Sequence, residues 1–171
     1  MNTFNLPLKE DYPAYYSTYV DKVSGENFSE LILKQIEELT QLFDSKPKEW
    51  ADFVYEEGKW SPKEVLGHIT DTDRIMTFRA LCFARGEEAA LPGFDQNEYV
   101  VKGKFGAVPI DLLVADFIAQ RKALLTLIQT LSEDVLDNVG NGNGKPITPR
   151  ALFWIIPGHF AHHMEILKTR Y

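Results

Sequence analysis

Cysteines, basic residues and long apolar runs are all scarce in this 171-residue sequence. Its single cysteine, Cys82, excludes an internal disulfide and favours a reducing compartment, so we expect a cytoplasmic protein. No apolar run approaches the roughly 20 residues of a membrane-spanning helix, and no signal-peptide pattern is visible, so we expect no membrane partner. Lys and Arg number 18 against 25 Asp and Glu, which argues against a nucleic-acid partner because such binding needs a basic patch.

What is present fits one globular domain spanning residues 1–171. Hydrophobic residues make up 44% of the sequence and charged residues 25%, proportions that are too apolar for a disordered chain. Residues 1–25 read as an N-terminal arm or a short helix. Four tyrosines in this arm, which we interpret as packing residues, are Tyr12, Tyr15, Tyr16 and Tyr19.

Apolar residues at helical spacing predict four long helices, and therefore an all-α four-helix bundle. The second helix begins at a capping box in which Ser61 is the N-cap and Glu64 completes the motif. Thr148, followed by Pro149, caps the fourth helix. The predicted helices cover about 27–44, 62–85, 110–131 and 149–169.

Three segments depart from this pattern. Residues 87–109 form a long loop between the second and third helices, a length typical of a functional loop or of a hidden short element. Residues 138–145 have the composition of a flexible turn. Pro157 removes a backbone hydrogen bond within the fourth helix, so we expect either a kink or a helix that restarts there.

Three of the four histidines lie within five residues: His159, His162 and His163. His159 and His163 are four residues apart, so on a helix they share one face and can bind one metal ion, while His162 points roughly 100° away from His163. Bundle metal sites take ligands from facing helices, which makes His68 on the second helix the candidate third ligand. Three neutral imidazoles suit Zn, Ni, Co or Fe and leave an open position. The alternative is a metal-free bundle whose histidines hydrogen-bond in the core.

Polar residues on the second helix are candidates for catalytic roles near such an ion. Arg79 lies on the same helix face as His68, about 16 Å further along, and could bind a carboxylate of a thiol cofactor or extend to solvent. Asp71 and Asp73 flank this face. One of them could accept a hydrogen bond from a ligand histidine, or each could lie on a solvated surface.

Two further features leave alternatives open. In the long loop, Asp95, Gln96 and Tyr99 could close over the bundle as a substrate lid or simply cap the loop. Cys82 has no histidine near it in the sequence, so we interpret it as a small buried residue rather than a nucleophile.

Three strings in fixed order together resemble the DinB/YfiT-like family of metalloenzymes: GKWSPKEVLGHI at 58–69, LPGFDQ at 91–96 and GHFAHH at 158–163. The resemblance implies an up-down-down-up four-helix bundle, commonly a homodimer, with a divalent ion, Zn or Ni, held by His68, His159 and His163. Family members include S-transferases that use bacillithiol or mycothiol, and an isomerase that uses a low-molecular-weight thiol. Met164-Glu165 departs from the bacillithiol-transferase pattern, which often has a further histidine here.

Together these features predict a metal-dependent enzyme that acts on a small-molecule substrate, either a thiol S-transferase or a hydrolase. The ion would lower the pKa of a bound water or thiol, and the transferase would also need a low-molecular-weight thiol as cofactor. The alternative is a non-catalytic dimeric metal-binding bundle, a stress-related or binding protein, whose ion is structural.

Overall fold

Four long helices dominate the computed structural model, which describes residues 4–171. All four were predicted, and their ends agree with the predicted ends to within two residues. Numbered in chain order, the helices are α1, Ser17–Val20; α2, Phe28–Asp44; α3, Pro62–Ala84; α4, Gln96–Gly103; α5, Ile110–Gln129; and α6, Pro149–Arg170. None of the helices within residues 4–171 is long and apolar enough to cross a membrane.

The bundle has the up-down-down-up order. Helices α2 and α3 each pack mainly against α5 and α6, so α2 and α3 lie diagonally opposite each other. Helix α2 runs parallel to α6, α3 runs antiparallel to α6, and α3 runs parallel to α5. For α2 and α6, the contacts that show the direction are Phe28–Trp154 and Glu38–Lys168. For α3 and α6 they are Trp60–Tyr171, just outside the helix ends, and His68–His159. For α3 and α5 they are Arg74–Asp116 and Thr77–Gln120.

The long connection between α3 and α5 follows from this order. Because these two helices are neighbours and parallel, the chain must return along the length of α3, which is about 34 Å for 23 residues. The return segment contains the short element that its length allowed, helix α4, and a single 3₁₀ turn at Phe105–Ala107. The ring of Phe105 packs directly on Gly67 of α3.

The flexible-turn interpretation of residues 138–145 is wrong, because this segment forms most of a β-hairpin. Strand β1, Gly140–Gly142, pairs antiparallel with β2, Lys145–Ile147. The two turn residues, Asn143 and Gly144, have φ values of 54° and 75°. An Asn-Gly pair favours this left-handed geometry, which matches the twist of the flanking strands.

Helix α6 continues without interruption through Pro157, so the predicted restart of the helix does not occur. The carbonyl of Pro157 accepts a buried hydrogen bond from Nε2 of Gln35, at 2.9 Å. The proline is therefore held inside the bundle by α2.

The N-terminal arm packs along α6. The indole of Trp154 donates a hydrogen bond to the carbonyl of Asn5, at 2.8 Å. The packing role predicted for the arm tyrosines holds for Tyr12 and Tyr16, which are buried, but not for Tyr15, which is 61% exposed. The arm thus covers one side of α6 with aromatic side chains.

A buried polar layer separates two apolar clusters inside the bundle. One cluster lies near the arm and includes Trp154, and the other includes Phe160. Each of the four long helices contributes residues to both clusters, and the change from one cluster to the other occurs at the same height along the bundle axis. The polar residues at that level are Gln35 on α2, Asp73 on α3 and Arg121 on α5, all buried.

Candidate metal centre

Three histidine side chains converge where α3 faces α6. His68 lies in the second turn of α3, and His159 and His163 lie one turn apart on α6. Nε2 of His159 is 3.0 Å from Nε2 of His68 and 3.0 Å from Nε2 of His163. Within residues 4–171 this is the one group of three or more potential ligand side chains with spacing suited to a metal ion.

A glycine precedes a histidine on each of the two helices and allows another chain segment to pack over the site. A Cβ atom at Gly67 would lie 2.4 Å from the ring of Phe105, and a Cβ atom at Gly158 would lie 2.2 Å from the carbonyl oxygen of Tyr19. Contacts this short are not tolerated, so larger residues would displace these segments. The Gly-His pairs thus let the return segment and the arm close around the histidines.

The nitrogen positions fit a bound cation. Two nitrogens that each lie about 2.1 Å from one ion, at angles of about 90–110°, are about 3.0–3.4 Å apart, which includes both observed distances. Without an ion, Nε2 of His159 offers one N–H or one lone pair, so it can make only one well-directed hydrogen bond to its two neighbours. The arrangement therefore favours a shared cation over a hydrogen-bonded histidine cluster.

Burial keeps the three imidazoles neutral. It is the main cause that lowers the pKa of His68 to about 4 and that of His163 to about 3, and it lowers the pKa of His159 well below its usual value. Repulsion between the neighbouring imidazoles lowers these pKa values further. At neutral pH each Nε2 can therefore present a lone pair to an ion.

Aromatic side chains surround the triad. The ring of Tyr19 contacts that of His159 with a centroid distance of 5.4 Å, and the ring of Trp60 lies 4.8 Å from that of His68. His162 is partly buried, contacts Tyr19 and stays outside the triad, as helical spacing predicts. Sequence reasoning missed the roles of Tyr19 and Trp60 at this site, although Trp60 lies in one of the strings that carry the family resemblance.

The buried polar layer connects to the triad through α6. Nε of Arg121 donates to Oδ2 of Asp73 at 2.6 Å, and Nη1 donates to Oε1 of Gln35 at 2.8 Å. Gln35 in turn binds the Pro157 carbonyl, two residues before His159. The layer therefore holds the part of α6 that bears the histidines. The polar layer was not predicted. The sequence signal that could have indicated it is a charged residue between apolar residues on one face of a helix.

The carboxylates of α3 do not contact the triad. Neither Asp71 nor Asp73 hydrogen-bonds to a histidine within residues 4–171, so the expected carboxylate partner of a ligand histidine is not found there. Asp71 is partly exposed and lies 3.6 Å from Arg74, and burial raises its pKa. Asp73 points instead toward α5, where Arg121 neutralises it.

Arg79 is buried, so its extension to solvent is excluded. Its Nη2 donates to the carbonyl of Pro92 at 2.6 Å and thereby ties the long connection to α3. Of the loop residues, Asp95 caps α4 through the backbone N–H groups of Asn97 and Glu98, as the capping alternative predicted.

We predicted that Cys82 is buried, but its side chain is only partly buried. Burial, followed by the nearby Glu87 carboxylate, raises the pKa of its thiol. Because the thiolate is the nucleophilic form, this environment disfavours a nucleophilic role.

The protein is thus an up-down-down-up helical bundle with a candidate metal centre of three histidines. The model of the DinB superfamily matches residues 31–167, so the chain belongs to that superfamily, as its sequence strings predicted. A protein of Oceanobacillus iheyensis named "Putative metal-dependent hydrolase" is 26% identical over 154 residues, which cover 86% of this chain and 87% of that protein.

A solved structure shows the same fold. YfiT from Bacillus subtilis, described as "a probable metal-dependent hydrolase with an unusual four-helix bundle topology", superposes with a TM-score of 0.74. The two chains are 16% identical, and the match covers 87% of this chain and 83% of YfiT. The predicted fold class is thereby confirmed.

Proposed function

We propose that the protein binds one divalent metal ion through His68, His159 and His163 and acts as a metal-dependent hydrolase on a small molecule. The observation that carries this proposal is the convergence of three neutral imidazoles on one point, with Nε2 of His159 lying 3.0 Å from Nε2 of each of the other two. The name of the Oceanobacillus relative supports it. When bound, such an ion supplies Lewis-acid polarisation and lowers the pKa of a water or thiol.

The residues around the ion position have separable tasks. The three imidazoles add no negative charge, so they leave the charge of a divalent ion available to polarise a substrate. The rings of Tyr19 and Trp60 lie against two of the imidazoles and limit the access of water to them. The buried Gln35 side chain holds the α6 backbone just before His159 and thereby fixes the position of that ligand.

Thiol transfer is the second candidate reaction, and the residues that follow the histidine pair argue against the bacillithiol-transferase form of it. Met164 is buried in the apolar core, and Glu165 forms an ion pair with Lys22 at 2.8 Å. Neither side chain can replace the further histidine that is frequent in that group. Hydrolysis needs no cofactor besides the ion and water, so we favour it.

Metal binding is tested first, with an adjacent histidine as the matched control. Wild-type protein without a His-tag should bind one Zn or Ni ion per chain, measured by calorimetry and elemental analysis. His159→Ala should lower the affinity by at least about 100-fold, since loss of an outer partner of a ligand alone costs 10- to 100-fold. His162→Ala should bind as wild type does. Equal binding by all three proteins, each checked by circular dichroism, would exclude the triad as the site.

Activity assays then distinguish the two reactions. Metal-loaded protein is incubated with chromogenic esters and amides in the absence of thiol, and separately with a chromogenic electrophile plus cysteine, glutathione or bacillithiol. A hydrolase should release product without thiol and lose activity in the His159→Ala variant but not in the His162→Ala variant. If product appears only when a thiol is present, the reaction is thiol transfer and not hydrolysis.

A structural role for the ion predicts a different response to chelation. If the ion only stabilises the fold, its removal should unfold the helices. We expect the helical circular-dichroism signal to persist after chelation while activity disappears, because two apolar clusters and a buried ion pair hold the bundle.

A further inference from the structure

A cavity of about 130 Å³ lies where the N-terminal arm, α3 and the hairpin meet. It is distinct from the histidine triad, since Arg79 is eleven residues beyond His68 on α3, or about 16 Å along the helix. Exposed residues of the arm and hairpin form its rim, and Arg79 lies at its buried side. The residues that line the cavity include Tyr15, Tyr16, Arg79, Gly142, Asn143 and Lys145.

Arg79 is a buried cation that has no anionic partner in the part of the chain that the structure describes. Only 6% of its surface is exposed, and its guanidinium has five N–H donors, of which one is used by the Pro92 carbonyl. Within residues 4–171 it forms no ion pair. The other two buried arginines, Arg121 and Arg150, each bind a carboxylate. A buried charge is costly unless it is paired, so an anion at Arg79 would remove this cost.

The rest of the cavity also favours an anion. Lys145 adds a second positive charge at the rim, and none of the described residues that line the cavity is acidic. Tyr15 and Asn143 add a hydroxyl and an amide that can donate hydrogen bonds. One buried water molecule needs roughly 10–15 Å³ of cavity space, so a cavity of about 130 Å³ is large enough for a carboxylate or phosphate group.

We propose that this cavity binds a small oxyanion, the carboxylate or phosphate group of a small molecule, with Arg79 as its main partner and Lys145 as a second cation. The planar guanidinium fork matches the oxygens of either group. The site does not depend on a metal ion at the triad, so it adds to the proposed function and can fail independently of it.

The test is calorimetric titration of the full-length, metal-free protein with inorganic phosphate and, separately, with acetate at low ionic strength. Removing the divalent ion prevents either anion from binding at the triad. Arg79→Gln should weaken binding of the preferred anion by about 10- to 100-fold, as expected for charge-assisted hydrogen bonds. Lys145→Gln should weaken it by about threefold or more. Arg85→Gln, which changes an exposed arginine outside the cavity, should bind as wild type does.

The relative affinities for phosphate and acetate identify which oxyanion the site prefers. Absence of binding by wild-type protein would overturn the proposal, and so would equal binding by wild type, Arg79→Gln and Lys145→Gln. If Arg79→Gln does not fold, because it also loses the contact with Pro92, the exposed Lys145→Gln change decides the outcome. His159→Ala should retain anion binding, so a failed metal site leaves this result interpretable.

Discussion

Removing the carboxylate of Asp73 should destabilise the bundle strongly, because Arg121 would then hold a buried charge without a partner. Both side chains are fully buried, and Nε of Arg121 lies 2.6 Å from Oδ2 of Asp73. Burial raises the pKa of Asp73 to about 6 in spite of Arg121, and burial lowers the pKa of Arg121. Each charge is therefore tolerated only because the other is present.

Asp73→Asn should lower the free energy of unfolding by about 3–5 kcal/mol, the usual cost of breaking a buried pair from one side. This is a large share of the roughly 5–15 kcal/mol that stabilises a typical domain. Asp116→Asn is the matched control, because it breaks an ion pair with Arg74 between the same two helices, where both side chains are about 40% exposed. The control should cost less than about 1 kcal/mol.

A double variant separates pairing from packing. Asp73→Leu combined with Arg121→Met removes both charges, so it should recover most of the stability that Asp73→Asn loses. Urea unfolding of the metal-free proteins, followed by circular dichroism, measures all four free energies. The reasoning is refuted if Asp73→Asn costs no more than Asp116→Asn, or if the double variant is as unstable as Asp73→Asn.

Two further predictions concern the triad and the chain that covers it. In metal-free protein the pKa values of His68 and His163, about 4 and about 3, lie below the usual 6.5, so the unfolded state binds more protons and stability should fall as pH drops below 6.5. The loss should approach about 1.4 kcal/mol per pH unit for each histidine. The urea midpoint should therefore decrease toward pH 4.5, and less so in His163→Gln; a constant midpoint would contradict the reasoning. Gly158→Ala should cost about 1–3 kcal/mol, because its Cβ would meet the Tyr19 carbonyl at 2.2 Å, whereas Gly106→Ala, which meets no atom within 4 Å, should leave the melting temperature unchanged.

Helix positions were predictable because their signals are local. Ser61 and Glu64 form the capping box that the sequence predicted, and the hydroxyl of Thr148 accepts a hydrogen bond from the backbone of Ala151. The hairpin had an equally local signal, the Asn143-Gly144 pair, which favours a tight turn between two strands. We interpreted this segment as a flexible turn and so missed the strands.

The polar layer was not predictable to the same degree. Gln35 lies on the apolar face of α2, and Asp73 and Arg121 interrupt the apolar faces of α3 and α5. The sequence therefore contains charges in unusual places, but a pairing between residues 48 positions apart depends on how two helices are rotated and aligned. The contact of Tyr19 with His159 has the same origin, because the path of the arm is set by packing against α6.

Hydrogen bonding and periodicity within a few turns are enough to predict the four long helices and to place His159 and His163 on one helix face. The packing of the helices decides three further features: His68 joins this pair, Asp73 turns away toward Arg121, and Arg79 ends at a cavity with no counterion among residues 4–171. The reason is physical: these contacts depend on which helices are neighbours, and that choice is made by burial of apolar surface summed over the whole bundle.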